Sequence, residues 1–177
     1  EQVVPRVPAP VVIIHQMAPG MFAGGAAPVG AEPEVIGELV DIDNVWGYIA
    51  SGNVRFEARA RNFVTADKPF WLGNGLLLLA MTAIGANGAC LMLGNVAPAE
   101  CLQIISSVMN GDLAKAQEVQ SRIIEADQQI LDRGAAGIKA AMDILSYEGG
   151  APRLPNPSVT DADSEIIRVA MKSGGLI

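Results

Sequence analysis

Between Lys68 and Glu100 the chain carries no charged residue, and this stretch constrains the fold more than any other because it has to be buried in a membrane or in a protein core. A membrane-spanning helix needs about 20 consecutive apolar residues. Here Gly73-Asn74-Gly75, Gly85-Ala86-Asn87-Gly88 and Gly94-Asn95 interrupt the run, and glycine with asparagine is turn chemistry. The stretch, Leu76-Leu77-Leu78-Leu79 included, is therefore cut into pieces of strand and helix length and belongs to a core, with no membrane partner expected. Half of the 177 residues are apolar and 18% are charged, which excludes a disordered chain. Nineteen acidic against twelve basic residues give a net charge of −7, and no Lys/Arg stripe is present, so nucleic acid is a poor partner. Cys90 and Cys101 are too few for a disulfide framework or a zinc site. The reading is a reducing compartment, the cytoplasm, with neither metal nor cofactor. The N-terminus shows no signal-peptide pattern and does not begin with Met.

Strand and helix signals alternate along the chain. Val11-Val12-Ile13-Ile14 is a short β-branched run of the kind covered on both faces. A Gly/Ala/Pro loop from Ala18 to Gly30 precedes a helical pattern over 32–42, with Val35, Ile36, Leu39 and Val40 on one side. Asn44 to Ile49 is a second strand, followed by a helix over 54–64; Phe70-Trp71-Leu72 is a third, followed by a helix over 76–84. Ala89 to Leu93 is a fourth, leading into a helix with Leu102 and Ile105. Four strand-helix units with nearly uninterrupted apolar strands predict a parallel sheet with crossover helices. Beyond Gly111 the chain is helical: one helix capped by Asp112 and ended at Gly134, a second over 135–147, and a last one from about Ser158 to Lys172 after a proline-rich link.

The segment Gly88-Ala89-Cys90-Leu91-Met92-Leu93-Gly94-Asn95-Val96-Ala97-Pro98 resembles the last barrel strand and N-x-x-P exit of the dihydrodipicolinate synthase and N-acetylneuraminate lyase family of pyruvate-handling (β/α)8 barrels. Gly111-Asp112-Leu113-Ala114-Lys115-Ala116 is similar to that family's G-D-x-x-x-A helix start. Ile138-Lys139-Ala140-Ala141-Met142 and Ala151-Pro152-Arg153-Leu154-Pro155 resemble its K-x-x-x and R-x-P segments. The resemblance implies an α/β fold, a TIM barrel to which this chain supplies about the last four strand-helix units. Residues 1–110 are then the second half of the barrel, strands five to eight, and residues 111–177 a C-terminal helical extension packed on it. A complete barrel takes ~250 residues. The first four units, with the family's G-T-T-G-E turn, have no counterpart here, so a fragment or one half of a split protein is expected. Its partners would be the missing N-terminal half-barrel polypeptide and further copies of itself, as a dimer or tetramer.

In the family the sixth strand presents a lysine that forms an imine with pyruvate, the electron sink that makes the adjacent carbon reactive. Its G-I-K falls on Gly47-Tyr48-Ile49, and isoleucine cannot form an imine. The four lysines, Lys68, Lys115, Lys139 and Lys172, fall on helices or strand entries rather than at the C-terminal rim where barrel catalysis occurs. The family's fifth strand ends in Y-N-x-P-x-R. Aligned on Pro19, it puts Gln16 at the tyrosine, Met17 at the asparagine and Met21 at the arginine. Electrophile, proton shuttle and anion clamp are lost together, so the ordinary Schiff-base mechanism is not expected.

A modified site has few candidates. His15 is the only histidine and titrates in the useful range; beside Gln16 near a strand end it could act as acid or base, or be turned outward by strand alternation. Cys90 falls where the family lines its pocket, without the basic neighbour a nucleophile needs. Gln16, Met21, Ile49 and Cys90 are the expected pocket residues, and Tyr48 points away from it. Gly73-Asn74-Gly75 reads as a tight turn before a helix. Three functions fit: a lyase-like aldolase-superfamily protein with altered or lost pyruvate chemistry, a noncatalytic structural or regulatory subunit of a barrel oligomer, or an enzyme using acid-base chemistry on a less polar small molecule.

Overall fold

The structure, a computed structural model, describes residues 12–17 by their backbone and residues 31–51 and 54–177 in full. The chain divides into two compact units, Glu1–Cys90 and Leu91–Ile177. The first is the alternating one: β1 (Val12–Met17), α1 (Pro33–Val40), β2 (Val45–Ser51), α2 (Val54–Ala60), β3 (Phe70–Leu72), α3 (Leu78–Ala83) and β4 (Gly88–Ala89). The strands form one sheet in the order β1-β2-β3-β4, parallel throughout. Parallel neighbours that follow one another in sequence require a crossover each, which the intervening helices supply.

One face of this sheet is closed by the unit's own helices. Tyr48, Ala50, Phe70 and Leu72 all lie on it and are at most 1% exposed, packed under α1 and α3, whose Ile36, Val40, Leu78 and Met81 are likewise buried. Tyr48 donates its hydroxyl to Glu57 Oε2 on α2 at 3.1 Å, and its ring lies 5.5 Å from that of Phe70. Arg61 then reaches over Phe70, 5.6 Å from the ring, and donates to the carbonyls of Val64 and Gly85 at 2.7 and 3.2 Å, strapping the loop after α2 to the end of α3.

Several element boundaries differ from the sequence reading: β1 and β2 run on to Met17 and Ser51, the helix expected over 54–64 ends at Ala60, and the one expected over 135–147 ends at Ile144. The fourth strand spans Gly88–Ala89 rather than Ala89 to Leu93. Met92 already has helical dihedrals, and Asn95 turns back to donate both its backbone N–H, at 3.0 Å, and its side-chain amide, at 2.9 Å, to the Met92 carbonyl, so a 3-10 turn over Leu93–Asn95 replaces the strand's end. The helix expected over 76–84 begins as a 3-10 turn, Gly75–Leu77, because the Asn74 side chain accepts from Leu76 N at 3.1 Å. The last helix starts at Asp161 rather than near Ser158: Thr160 caps it by accepting from Asp163 N at 3.1 Å, and Pro155 and Pro157 keep the preceding chain extended.

The second unit is a helical cluster of α4 (Pro98–Met109), α5 (Leu113–Leu131), α6 (Gly134–Ile144) and α7 (Asp161–Ser173). Asp112 caps α5 by accepting from Lys115 N at 3.0 Å, as its position after Gly111 suggested. Gly134, at φ +54°, makes the break between α5 and α6, a backbone conformation glycine adopts without a Cβ penalty. α5 packs against the other three helices and buries Val119, Ile123, Ala126 and Ile130, with Ile104, Ile167 and Met171 fully buried in the same unit. Arg133 and Asp163, 2.8 Å apart, tie the entry of α6 to that of α7. Helix α4 groups with the helices after it, so compactness divides the chain at 90/91, whereas the division at 110/111 follows the resemblance. Among the described residues no helix is long and apolar enough to cross a membrane.

Candidate functional site

In a parallel sheet of this kind chemistry is placed at the C-terminal ends of the strands, here Met17, Ser51, Leu72 and Ala89. The face opposite the helices carries the side chains that reach that rim. Ile49 stands two residues before the end of β2 and is 9% exposed. It pairs with His15 on β1 and with Trp71 on β3, and Trp71 pairs in turn with Gly88. The next row is Gln16, Ala50, Leu72 and Ala89. His15 is thus the β1 residue at the register position of Ile49, while Gln16 is level with residues of the helix-covered face. Met21 and the Ala18 to Gly30 loop lie outside the described residues. Cys90 follows β4, is exposed, and donates its N–H to the Leu72 carbonyl at 2.7 Å.

Two aromatic side chains share the open face. The β1–β2 register shifts between Val12, which pairs with Val45, and Ile13, which pairs with Gly47. Trp46 is the extra residue of this bulge, and a bulge re-aims the side chain it carries. Trp46 meets Trp71 edge-on, ring centroids 4.9 Å apart at 89°. Gly88 provides the seat: a Cβ there would come within 2.8 Å of Trp71 Cδ1 and Nε1. Strand alternation alone would have put Trp46 with Tyr48 on the helix side, and nothing in the sequence marks the bulge.

Tyr48 faces the helices as expected. Burial, and then the Glu57 carboxylate beside it, push its phenol well above the ordinary range, which leaves it a structural hydrogen-bond donor. All four lysines lie off the strands. Lys68 Nζ donates to the Val45 carbonyl at 2.5 Å, at the N-terminal end of β2 and thus at the far end of that strand from Ile49. Lys115 pairs with Glu118 at 2.9 Å, Lys139 donates to the Gly149 carbonyl at 2.6 Å, and Lys172 is in the last turn of α7. Gly73-Asn74-Gly75 is the capping turn already described. Among the described residues no cluster of three or more His, Cys, Asp or Glu side chains could hold a metal ion.

A parallel sheet with neighbouring consecutive strands, crossover helices on one face and a second face left for an interior defines the class: an α/β protein of the TIM-barrel kind. Within that class the chain belongs to the dihydrodipicolinate synthetase family, whose model matches residues 27–173. It is 22% identical over 154 residues to the 4-hydroxy-tetrahydrodipicolinate synthase of Acetivibrio thermocellus, covering 86% of this chain and 52% of that one. To the synthase of the same description from Nitrobacter hamburgensis it is 30% identical over 146 residues, covering 81% of this chain and 49% of the other. Among solved structures, dihydrodipicolinate synthase from Thermotoga maritima superposes with a TM-score of 0.81 at 21% identity, over 94% of this chain and 57% of that one. The chain spans about half the length of the curated relatives it matches.

Proposed function

We propose that this chain supplies strands five to eight of a dihydrodipicolinate synthase-like barrel, with the helices after Gly111 as its extension, and that it does not form an imine with pyruvate. The observation that carries the reading is Ile49: it occupies the rim-side position of β2 where the resemblance requires the lysine, level with His15 and Trp71. The inward surface there is a branched aliphatic chain with Trp71 at its register position on β3, and Ile49 itself offers no amine to form an imine. Four further strand-helix units, on an N-terminal half-barrel polypeptide or on the same one, would close the sheet and cover Trp46, which is 44% exposed here. Among the described residues no strand pairs with the outer edge of β1 or of β4, which supports this, since unpaired strand edges recruit further strands. The best-supported activity class is a lyase-like member of the aldolase superfamily with altered or lost pyruvate chemistry.

The test is reductive trapping. Incubation with pyruvate and borohydride, followed by intact mass and peptide mapping, is expected to leave all four lysines unmodified. A reduced adduct on any lysine of this chain would restore the imine mechanism and overturn the reading.

A second reading has its own observation. The Ile49, Trp46 and Trp71 surface favours a less polar small molecule, and the level position of His15 puts beside it a residue type that serves as acid or base. In that case His15→Ala abolishes turnover of such a substrate while Gln16→Ala leaves most of it; the reverse pattern would reject His15.

A further inference from the structure

Helix α7 is apolar on two adjoining sides. Ile167, Ala170 and Met171 are buried within the helical unit, whereas Ile166 is 45% and Val169 58% exposed. With Ala162 and Ser173 these two line a groove of about 540 Å³ between α7 and α5, whose Glu125 and Gln129 form its other wall. The spacing 162, 166, 169, 173 alternates four and three residues, the seam of a two-stranded coiled coil. It also reads the same in either direction, small, large, large, small, about a midpoint between Ile167 and Arg168.

We infer that this groove receives α7 of a second copy of the chain, antiparallel, about a two-fold axis at that midpoint. Ile166 then packs on Val169 of the second copy and Ala162 on Ser173, each contact occurring twice, as a closed isologous interface requires. The charges choose this orientation. Glu165 and Lys172 are seven residues apart on one flank of the seam, and antiparallel packing sets that flank against itself, so each Glu165 meets Lys172 of the other copy. Parallel packing would set Glu165 against Ala170 and gain nothing. Among the described residues Glu165 pairs with the exposed Arg168 at 3.6 Å, a contact that contributes little.

Sedimentation equilibrium of the full chain tests this inference, which does not depend on the proposed chemistry. Ile166→Glu places a carboxylate at the centre of the seam and is expected to raise the dissociation constant of this contact on the order of 100-fold, halving the order of the assembly while circular dichroism stays unchanged, because the position is exposed in the chain. Glu165→Lys alone weakens the contact, and adding Lys172→Glu restores it. A monomer at every concentration, or an assembly indifferent to Ile166→Glu, overturns the inference. So does disruption by Ile166→Glu with no rescue by the double charge swap, which would assign the groove to a different occupant.

Discussion

Asp127 gives the sharpest quantitative test of the helical unit. It lies on α5, 4% exposed, and its Oδ2 has no hydrogen-bond partner among the described residues. Burial pushes its carboxyl up to about 6, against an ordinary value of ~3.9. The unfolded chain therefore releases this proton near pH 4 and the folded chain near pH 6. Between those values the folded state holds more protons, so its stability falls as pH rises from ~4 through ~6 and levels off above. The cost of keeping the carboxylate ionised in the core at neutral pH is about 3 kcal/mol. Asp127→Asn keeps the shape and removes the ionisation, but leaves an amide to satisfy, so part of that cost remains. The expected gain at pH 7 is on the order of 1–3 kcal/mol, which for a chain of this size raises Tm by roughly 2–12 °C. Near pH 4, where the wild-type side chain is neutral, the two proteins should melt together. Urea denaturation followed by circular dichroism at pH 4 and pH 7 measures both arms. A difference that is the same at both pH values, or a variant less stable than wild type at pH 7, would refute the reasoning. Cys101 supplies a second readout: burial first, and then the charges of Asp127 and Glu100, push its thiol up to about 12, so the substitution should ease it downward.

Gly88→Ala should drive a methyl into the Trp71 indole, whose Cδ1 and Nε1 lie 2.8 Å from where the Cβ would stand. Overpacking of this kind costs ~1–3 kcal/mol. The chain has two tryptophans, both on this face, so the emission spectrum must change as well; unaltered emission and stability would dismiss the seat. Tyr48→Phe removes the 3.1 Å hydrogen bond to a buried Glu57 and is expected to lower stability in urea by about 1–3 kcal/mol. Because that hydroxyl lies on the helix side, the change leaves ligand binding at the opposite face untouched.

The alternation of strand and helix was legible because parallel strands buried on both faces write themselves as short β-branched runs, and Phe70-Trp71-Leu72 matches β3 residue for residue. Caps were legible for the same local reason, as at Asp112. The end of the fourth strand was not, since Cys90 to Leu93 is as apolar as a strand and only the backward hydrogen bonds of Asn95 end it. At the site, the resemblance placed Ile49, and the outward turn of Tyr48 then followed from period-two alternation. The two tryptophans escaped notice because their meeting depends on a bulge in register, which is a property of two strands together and is written in neither. Asp127 was hidden for a related reason: an acidic residue within a helix reads as solvated until its neighbours are known.

The strand ladder is uneven: six residue pairs join β1 to β2, three join β2 to β3 and two join β3 to β4. Local opening begins where the fewest bonds must break, so the sheet has a direction in time. Amide exchange should run from the β4 side inward, with Cys90 and Ala89 losing protection first and Tyr48 to Ala50 last. The amide of Cys90, bonded to the Leu72 carbonyl, would then exchange long before that of Ile49, and the gap between the two would time the fraying of that edge.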